Sequence, residues 1–384
     1  ISTSPRSGTA TRFPRRCNRA TPTGSLRPPY PPDTLDDYTS NLDLAQAADL
    51  LRDERGSICV VTHTKPDGDA AGSVVALVTA LRAMGKDARG LLVPPILPSL
   101  ESLAQSPGIG IYDTENTLPA ADRMVIVDTG AWSQVGPLSS LIKPRLRSTL
   151  IVDHHLSGDI EAAYRVIDTT AAAAAEIVAD LVHRLVDVST LDAQANQTIN
   201  EALFAGIASD TGWFKFSNTT PRTLRLAADL VERGVNHADL FGQLEQSDRV
   251  EKLSLLIRAV DSLQLLAEGC AAVMVLRHKD FEETGALPEE TERLIDIPQQ
   301  VGTIKAIALI SEVQTDEGVQ TRISFRSKPL PDAVNVAELA GQFGGGGHAR
   351  AAGARLHEPA DAVVPRIIEA ITAAVRNAES CSAD

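Results

Sequence analysis

The feature that most constrains this chain is where its acids and histidines fall. Short apolar, β-branched runs end on them. Ile58-Cys-Val-Val-Thr-His63 ends on His63 and is followed by Asp67 and Asp69. Met124-Val-Ile-Val-Asp128 ends on Asp128, and Leu150-Ile-Val-Asp153 ends on Asp153 with His154 and His155 next. Runs of this length and kind read as buried strands. A further strand is expected at 88–93, and helix-prone stretches lie at 42–51, 70–84, 171–186, 192–209 and 221–233. Strands alternating with helices predict an α/β fold, a parallel sheet with helices on both faces. In such a sheet ligands bind beyond the carboxyl ends of the strands. These side chains are therefore expected to converge on one edge, joined by Asp210 from the turn-like stretch Ala208-Ser-Asp-Thr-Gly212.

Clustered carboxylates resist ionising together, so a stable cluster implies bound cations. The charges of Asp67, Asp69, Asp128 and Asp210 balance two divalent ions, and His63 and His154 add neutral nitrogen donors. Mixed imidazole and carboxylate donors suit Mn²⁺ best, with Co²⁺, Zn²⁺ or Fe²⁺ as alternatives and Mg²⁺ less favoured. Two ions ~3.5–4 Å apart lower the pKa of a shared water and clamp both oxygens of an in-line phosphoryl displacement. Asp128, alone at its strand end, is the natural bridge between them. Taken singly, Asp67-Gly68-Asp69 is a common turn and Asp153 a helix or turn cap. Adjacent histidines at a strand end rarely both pack in a core, and the joint placement carries the reading. His183, His237, His278 and His357 have no such context and read as surface or packing residues.

Residues 1–40 hold Arg6, Arg12, Arg15, Arg16, Arg19 and Arg27 among many Pro, Ser and Thr, and read as a disordered tail. Beyond it we expect a catalytic domain at 41–247, a helical connector at 248–268 and a smaller α/β domain at 269–384. The last should hold strands at 271–276, 305–313 and 320–326 and helices at 334–343 and 360–375. There Gly345, Gly346 and Gly347, within Phe343-Gly-Gly-Gly-Gly-His348, can expose backbone N–H groups to a phosphate. His348, Arg350, Arg322, Arg326, Ser327 and Lys328 are placed to hold the terminal phosphate and sugar of a short oligonucleotide. The net charge of −14 and the 4% aromatic content exclude a long basic, base-stacking groove, and with it long duplex nucleic acid. No run approaches the ~18 apolar residues of a membrane helix. Four scattered cysteines without a CxxC pair suit a reducing, cytoplasmic setting.

These segments resemble the motifs of the DHH phosphoesterase family. His63-Thr-Lys-Pro-Asp67-Gly-Asp69 is similar to its first motif, Met124-Val-Ile-Val-Asp128-Thr-Gly to its second, and Ile151-Val-Asp153-His154-His155 to the one that names it. Ala208-Ser-Asp210-Thr-Gly-Trp-Phe-Lys-Phe216 is similar to the fourth, and Phe343 to Gly353 to the glycine-rich signature of the DHH-associated domain. The resemblance spans roughly residues 42–376, in the family's order. It implies one metal on His63, Asp67 and Asp128, and a second on Asp69, Asp128, His154 and Asp210. It also implies His155 near the scissile phosphate, with Asp128 and His154 taking part in catalysis and Asp153 orienting the loop. The layout looks like the branch of nanoRNases, pAp phosphatases and stand-alone cyclic-di-AMP phosphodiesterases. It implies two Mn²⁺ ions, replaceable by Mg²⁺ or Co²⁺, and short RNA, pAp or di-adenylate substrates. A nucleotide-binding regulator with a non-catalytic metal site is the alternative. The oligomeric state stays open, a homodimer included. One departure is the alanine run 171–175 before Glu176, where the family often shows Ser or Thr.

Overall fold

The computed structural model describes residues 38–113, 121–315, 318–330 and 332–381. The β-branched run forms β1 (Ile58–Thr64), whose first five residues are buried. It lies in the middle of a sheet with β2 (Ala88–Val93), β3 (Ile109–Ile111), β4 (Arg123–Val127), β5 (Thr149–Asp153) and β6 (Tyr164–Ile167). The order is β3-β2-β1-β4-β5-β6, and each pair is parallel. Chain order therefore reverses between β1 and β4, which opens a crevice at their carboxyl ends.

Apolar residues alternate sides along these strands and bury both faces. On one, Val60, Val125 and Val152 pack under α1 (Leu44–Asp53), α2 (Gly68–Ala83), α3 (Ala174–Leu185) and α4 (Ala193–Asp210). On the other, Val61, Ile126 and Ile151 meet short helical turns over 136–148. The sheet and its helices are thus as the sequence predicts, with β3 and β6 added at the edges. Both are short, and β3 carries Gly110, so neither has a strand's apolar signature.

Three local expectations change. Asp210 closes the last turn of α4 instead of lying in a loop. Helix α3 begins at Ala174 rather than 171, because Ala173 is extended and Asp69 accepts the amides of Ala174 and Ala175 at 2.6 and 2.8 Å. Residues 38–40 are not part of a tail: Thr39 O accepts from Arg165 Nε at 3.1 Å, and Ser40 Oγ accepts the Ile167 amide at 2.7 Å. Edge strand β6 has backbone groups that need partners, and this strap supplies them. The arginines at 6–27 lie outside the described residues.

After α5 (Pro221–Glu232), α6 (His237–Glu245) and α7 (Val250–Asp261), the helical connector expected to reach 268 stops at Asp261. Ser262 Oγ accepts the Val275 amide at 2.8 Å, which turns the chain into β7 (Gln264–Leu266). A second sheet follows from β8 (Ala271–Leu276), β9 (Ala306–Thr315), β10 (Gly318–Ser327), β11 (Gly346–His348) and β12 (Ala351–Leu356), in the order β11-β12-β10-β9-β8-β7. Strands β8 and β9 are parallel and the other pairs antiparallel. Helix α8 (His278–Thr284) with α7 covers one face, and α9 (Val336–Gly341) with α10 (Ala360–Cys381) the other. The glycine run is in part the edge strand β11. Gly345 and Gly347 must be glycine, since a Cβ would come within 2.1 Å of Gly353 O and 2.6 Å of Ala351 O.

Helices α2 and α4 approach closely enough that a Cβ on Gly72 would lie 2.2 Å from Ala202 O. The neighbour is backbone and cannot swing aside. Gly72→Ala is expected to destabilise the fold by about 3 kcal/mol, as overpacked cores do. The check is a lower urea midpoint at unchanged slope; an unchanged midpoint contradicts the close approach.

Candidate metal centre

Each side chain of the cluster is aimed by the element that carries it. His63 stands near the end of β1 with Nδ1 3.0 Å from Thr64 O, which leaves Nε2 to face the crevice. His154 repeats the device, its Nδ1 3.4 Å from Ala171 O. A backbone carbonyl on one imidazole nitrogen fixes the tautomer and presents the other as a donor atom. Asp67 caps α2, accepting the Ala70 amide at 3.0 Å. Asp69 follows in the first turn of the same helix and is fully buried. Asp128 leaves β4 with φ of 61°, a left-handed conformation that costs energy in a residue other than glycine and gathers at functional sites.

The geometry centres on Asp128. Its Oδ2 lies 3.4 Å from His63 Nε2 and its Oδ1 3.4 Å from His154 Nε2. His63 Nε2 is also 4.0 Å from Asp67 Oδ1, and His154 Nε2 3.3 Å from Asp210 Oδ2. Donor atoms of His63, Asp67 and Asp128 lie within 4.8 Å of one another, as do those of Asp69, His154 and Asp210, and those of Asp128, His154 and His155. The six residues expected to gather do so, and each oxygen of Asp128 serves a different group. Asp128 Oδ1 and His154 Nε2 are buried yet have no hydrogen-bond partner among the described residues. Buried polar atoms left unpaired are costly, and a cation among them would remove that cost. The donor set therefore fits a metal.

Electrostatics give the same answer. Burial pushes Asp128 up, but the imidazoles of His154 and His63 overcome it and hold it at about 2. Burial lowers both histidines, yet Asp128 raises them further, His63 to about 9 and His154 to about 10. Burial, then the Asp128 charge, lifts Asp69 to about 8, and burial with Asp69 and Asp128 lifts Asp210 well above the carboxylate range. Without cations, protons take their place.

Asp153 does not join the metal-facing atoms. It is buried, and its Oδ1 accepts from the amides of His154 and His155 at 2.8 and 3.3 Å and from His155 Nδ1 at 2.7 Å. That hydrogen bond raises His155. Its Oδ2 accepts from the Tyr38 hydroxyl at 2.6 Å. Tyr38 escaped the sequence reading because nothing in its local pattern marks it. Trp213 and Phe214 pack against Phe204, while Phe216, six residues after Asp210, is 57% exposed.

On the second sheet, Arg326 pairs with Ala351 and His348 with the same residue from the other side, so they share one end of the sheet. Arg322 lies four residues up β10, its Nε on Gln320 Oε1 at 3.0 Å. Ser327 is buried and its hydroxyl donates to Ala349 O at 3.3 Å, so it braces the glycine loop instead of facing a ligand. Gly345 N donates to Ala340 O at 3.0 Å, and Gly346 and Gly347 pair with β12, so an open nest of glycine amides is not formed. Among the described residues no strand pairs with the outer edge of β11. Glu292, on the cleft between the two domains, feels charges from both. Burial and then Asp67 raise its carboxyl, while Lys252 and Arg326 hold it down. Asp67, Ser209, Lys252 and Glu289 line the same cleft.

Residues 57–207 match the DHH family, N-terminal domain, and residues 269–377 match the DHHA1 domain. The chain is 30% identical to the bifunctional oligoribonuclease and PAP phosphatase NrnA of Thermus thermophilus over 335 residues, 84% of this chain and 92% of that protein. It is 27% identical to the protein of the same name from Bacillus subtilis over 303 residues, 78% and 90% of the two. Among solved structures, an exopolyphosphatase-related protein from Bacteroides fragilis shares the fold with a TM-score of 0.75 at 20% identity, covering 87% of this chain and 97% of that one. RecJ from Thermus thermophilus in complex with Mn²⁺ gives a TM-score of 0.51 at 17% identity over 87% of this chain and 55% of that one.

The raised groups set the pH response. His63 at about 9, His154 at about 10 and Asp69 at about 8 mean that the cation-free folded protein binds more protons than the unfolded chain. The histidines' contribution is complete below roughly pH 6.5 and is lost as pH rises through their folded values. The melting temperature of chelator-treated protein should therefore fall from about pH 6.5 to 10. A divalent cation bound there would replace those protons, so the stabilising shift with Mn²⁺ should grow over the same range. Thermal unfolding with and without Mn²⁺ checks this; a shift that shrinks with pH contradicts it.

Proposed function

Because the chain belongs to the DHH family of phosphoesterases, we propose that it is a metal-dependent hydrolase of short RNAs and of 3′-phosphoadenosine 5′-phosphate, with linear and cyclic di-adenylates as further substrates. The observation that carries this reading is the division of Asp128 between two sets of donors, one oxygen to each. His63, Asp67 and Asp128 would hold one divalent cation, and Asp69, Asp128, His154 and Asp210 a second. Their imidazole and carboxylate atoms favour Mn²⁺, with Mg²⁺ or Co²⁺ as substitutes. Bound there, such ions supply Lewis acidity to water and to phosphoryl oxygens. The names of the relatives over most of the chain support the substrate classes.

The chain's own residues do the remainder. Asp128 keeps the two donor sets in register. Asp153 accepts the Nδ1 proton of His155 in a hydrogen bond, so that His155, with Nε2 protonated as well, would give a hydrogen bond or proton from Nε2 to a phosphoryl oxygen. Arg326, His348 and the open edge of β11 would take the far phosphate, and exposed Phe216 would stack a base. A cationic patch this compact favours short substrates. No helix among the described residues is long and apolar enough to cross a membrane, and the cytoplasm, where nucleotide products are reused, is the proposed site of action.

A second copy of the chain is the proposed partner. Helix α7 turns Leu255 and Ala259 inward, while Val250, Leu253, Ile257 and Val260 are 70%, 57%, 63% and 42% exposed. The stripe reads alike in both directions, so a two-fold axis pairs Val250 with Val260 and Leu253 with Ile257, as an isologous contact requires. With nearby Leu265, 59% exposed, each copy offers on the order of 500 Å² of aliphatic surface, roughly what a small stable interface needs.

Two experiments follow. With Mn²⁺, RNAs of two to five nucleotides or pAp should be turned over and a 24-mer far less. Chelator should abolish turnover, and Asp128→Ala should lower kcat by about 10³-fold or more, the scale of losing a preorganised charge cluster. Product chromatography reads it; nucleotide binding without any turnover would make the chain a regulator instead. Leu253→Glu with Ile257→Glu should convert a dimer to monomer in sedimentation without altering the melting curve of the monomer. A wild type that sediments as a monomer at micromolar concentration refutes the interface.

A further inference from the structure

Tyr38 lies upstream of residue 57, where the family match begins, yet it reaches the heart of the site. Its ring fills a slot between two glycines on separate loops. A Cβ on Gly130 would come within 1.9 Å of the Tyr38 hydroxyl, and one on Gly158 within 2.4 Å of its ring. Gly130 belongs to the loop that Asp128 opens. The hydroxyl in this slot donates to Asp153 Oδ2 at 2.6 Å, while Oδ1 takes two backbone amides and His155 Nδ1. Burial, then the Asp153 charge, keeps the phenol protonated. Both oxygens of Asp153 are taken up as acceptors, so the proton of its hydrogen bond with His155 lies on Nδ1.

A carboxylate can turn about its Cβ–Cγ bond and exchange its oxygens. The backbone amides hold only Oδ1, from one side. Tying Oδ2 to a rigid phenol closes that rotation. We propose that Tyr38 is a positioning residue: it pins Asp153 so that His155 is held with Nδ1 protonated and Nε2 turned away from Asp153, ready for the phosphoryl group. The proposal rests on the role given to His155 above. The strap that binds residues 39–41 to β6 delivers the phenol, so the segment before the family match completes the site.

Tyr38→Phe keeps the ring in its slot and removes the hydroxyl. On a substrate that the wild type turns over, kcat should fall about ten-fold, with KM and calorimetric Mn²⁺ affinity changed by less than about two-fold, a loss typical of a group that orients another. In a His155→Ala background the same change should cost nothing further. Independently of turnover, ¹⁵N-edited NMR of histidine-labelled protein without metal should show His155 protonated on Nδ1 in the wild type and only partly so in Tyr38→Phe. An unchanged kcat, an equal loss with and without His155, or a wild-type His155 without a proton on Nδ1 overturns the proposal. If the wild type hydrolyses none of the substrates, the proposed function fails while the tautomer measurement still decides the role of Tyr38.

Discussion

Everything at this site depends on a conflict of charge placed where the sheet changes direction. Four carboxylates and two imidazoles meet at the carboxyl ends of β1, β4 and β5, and Asp128 is the point they share. In a buried, low-dielectric crevice the acids cannot all ionise without compensation. The metal-free cluster resolves this by holding protons, which is why Asp69 rises to about 8 and His154 to about 10 while Asp128 stays near 2. The same conflict suits the cluster to divalent cations, whose charge would remove it.

The fold is built to withstand that conflict. Asp69 lies in the first turn of α2, and its two oxygens accept the first amides of α3, so one carboxylate both starts a helix and faces the cluster. Close packing makes this reach possible. Gly206 leaves room for Ala175 and for Asp69 Oδ1, to which a Cβ would come within 2.5 and 2.9 Å. Alanine at 175 is therefore a packing requirement: a larger side chain there would push α3 away from α4 and draw the amides off Asp69.

Much of this was legible in the chain because the determinants are local. His63, Asp128 and Asp153 sit at or next to the ends of apolar runs, and the helix-prone stretches became α1 to α5 within a few residues at each end. What was not legible depends on partners distant in sequence. Strand β6 is short and exists by pairing with β5, and Gly346–His348 becomes a strand because Ala351–Gly353 lies beside it. Ser327 looks like a ligand for phosphate in sequence and is a brace for the Ala349 carbonyl in space. Tyr38 follows a stretch of Arg, Pro, Ser and Thr and has no periodic signal of its own.

By itself the sequence determined the type of sheet, the sign and number of charges at its edge, and the donor chemistry that selects a divalent cation. Those follow from hydrophobic periodicity and residue type, which act over a few neighbours. Tertiary structure alone decided that Asp128 divides its oxygens between two donor sets, that Asp69 caps a helix more than a hundred residues away, and that a tyrosine outside the family match anchors Asp153. Each of these depends on atoms brought within about 3 Å of one another by chain reversal and close packing, a distance that no linear pattern encodes.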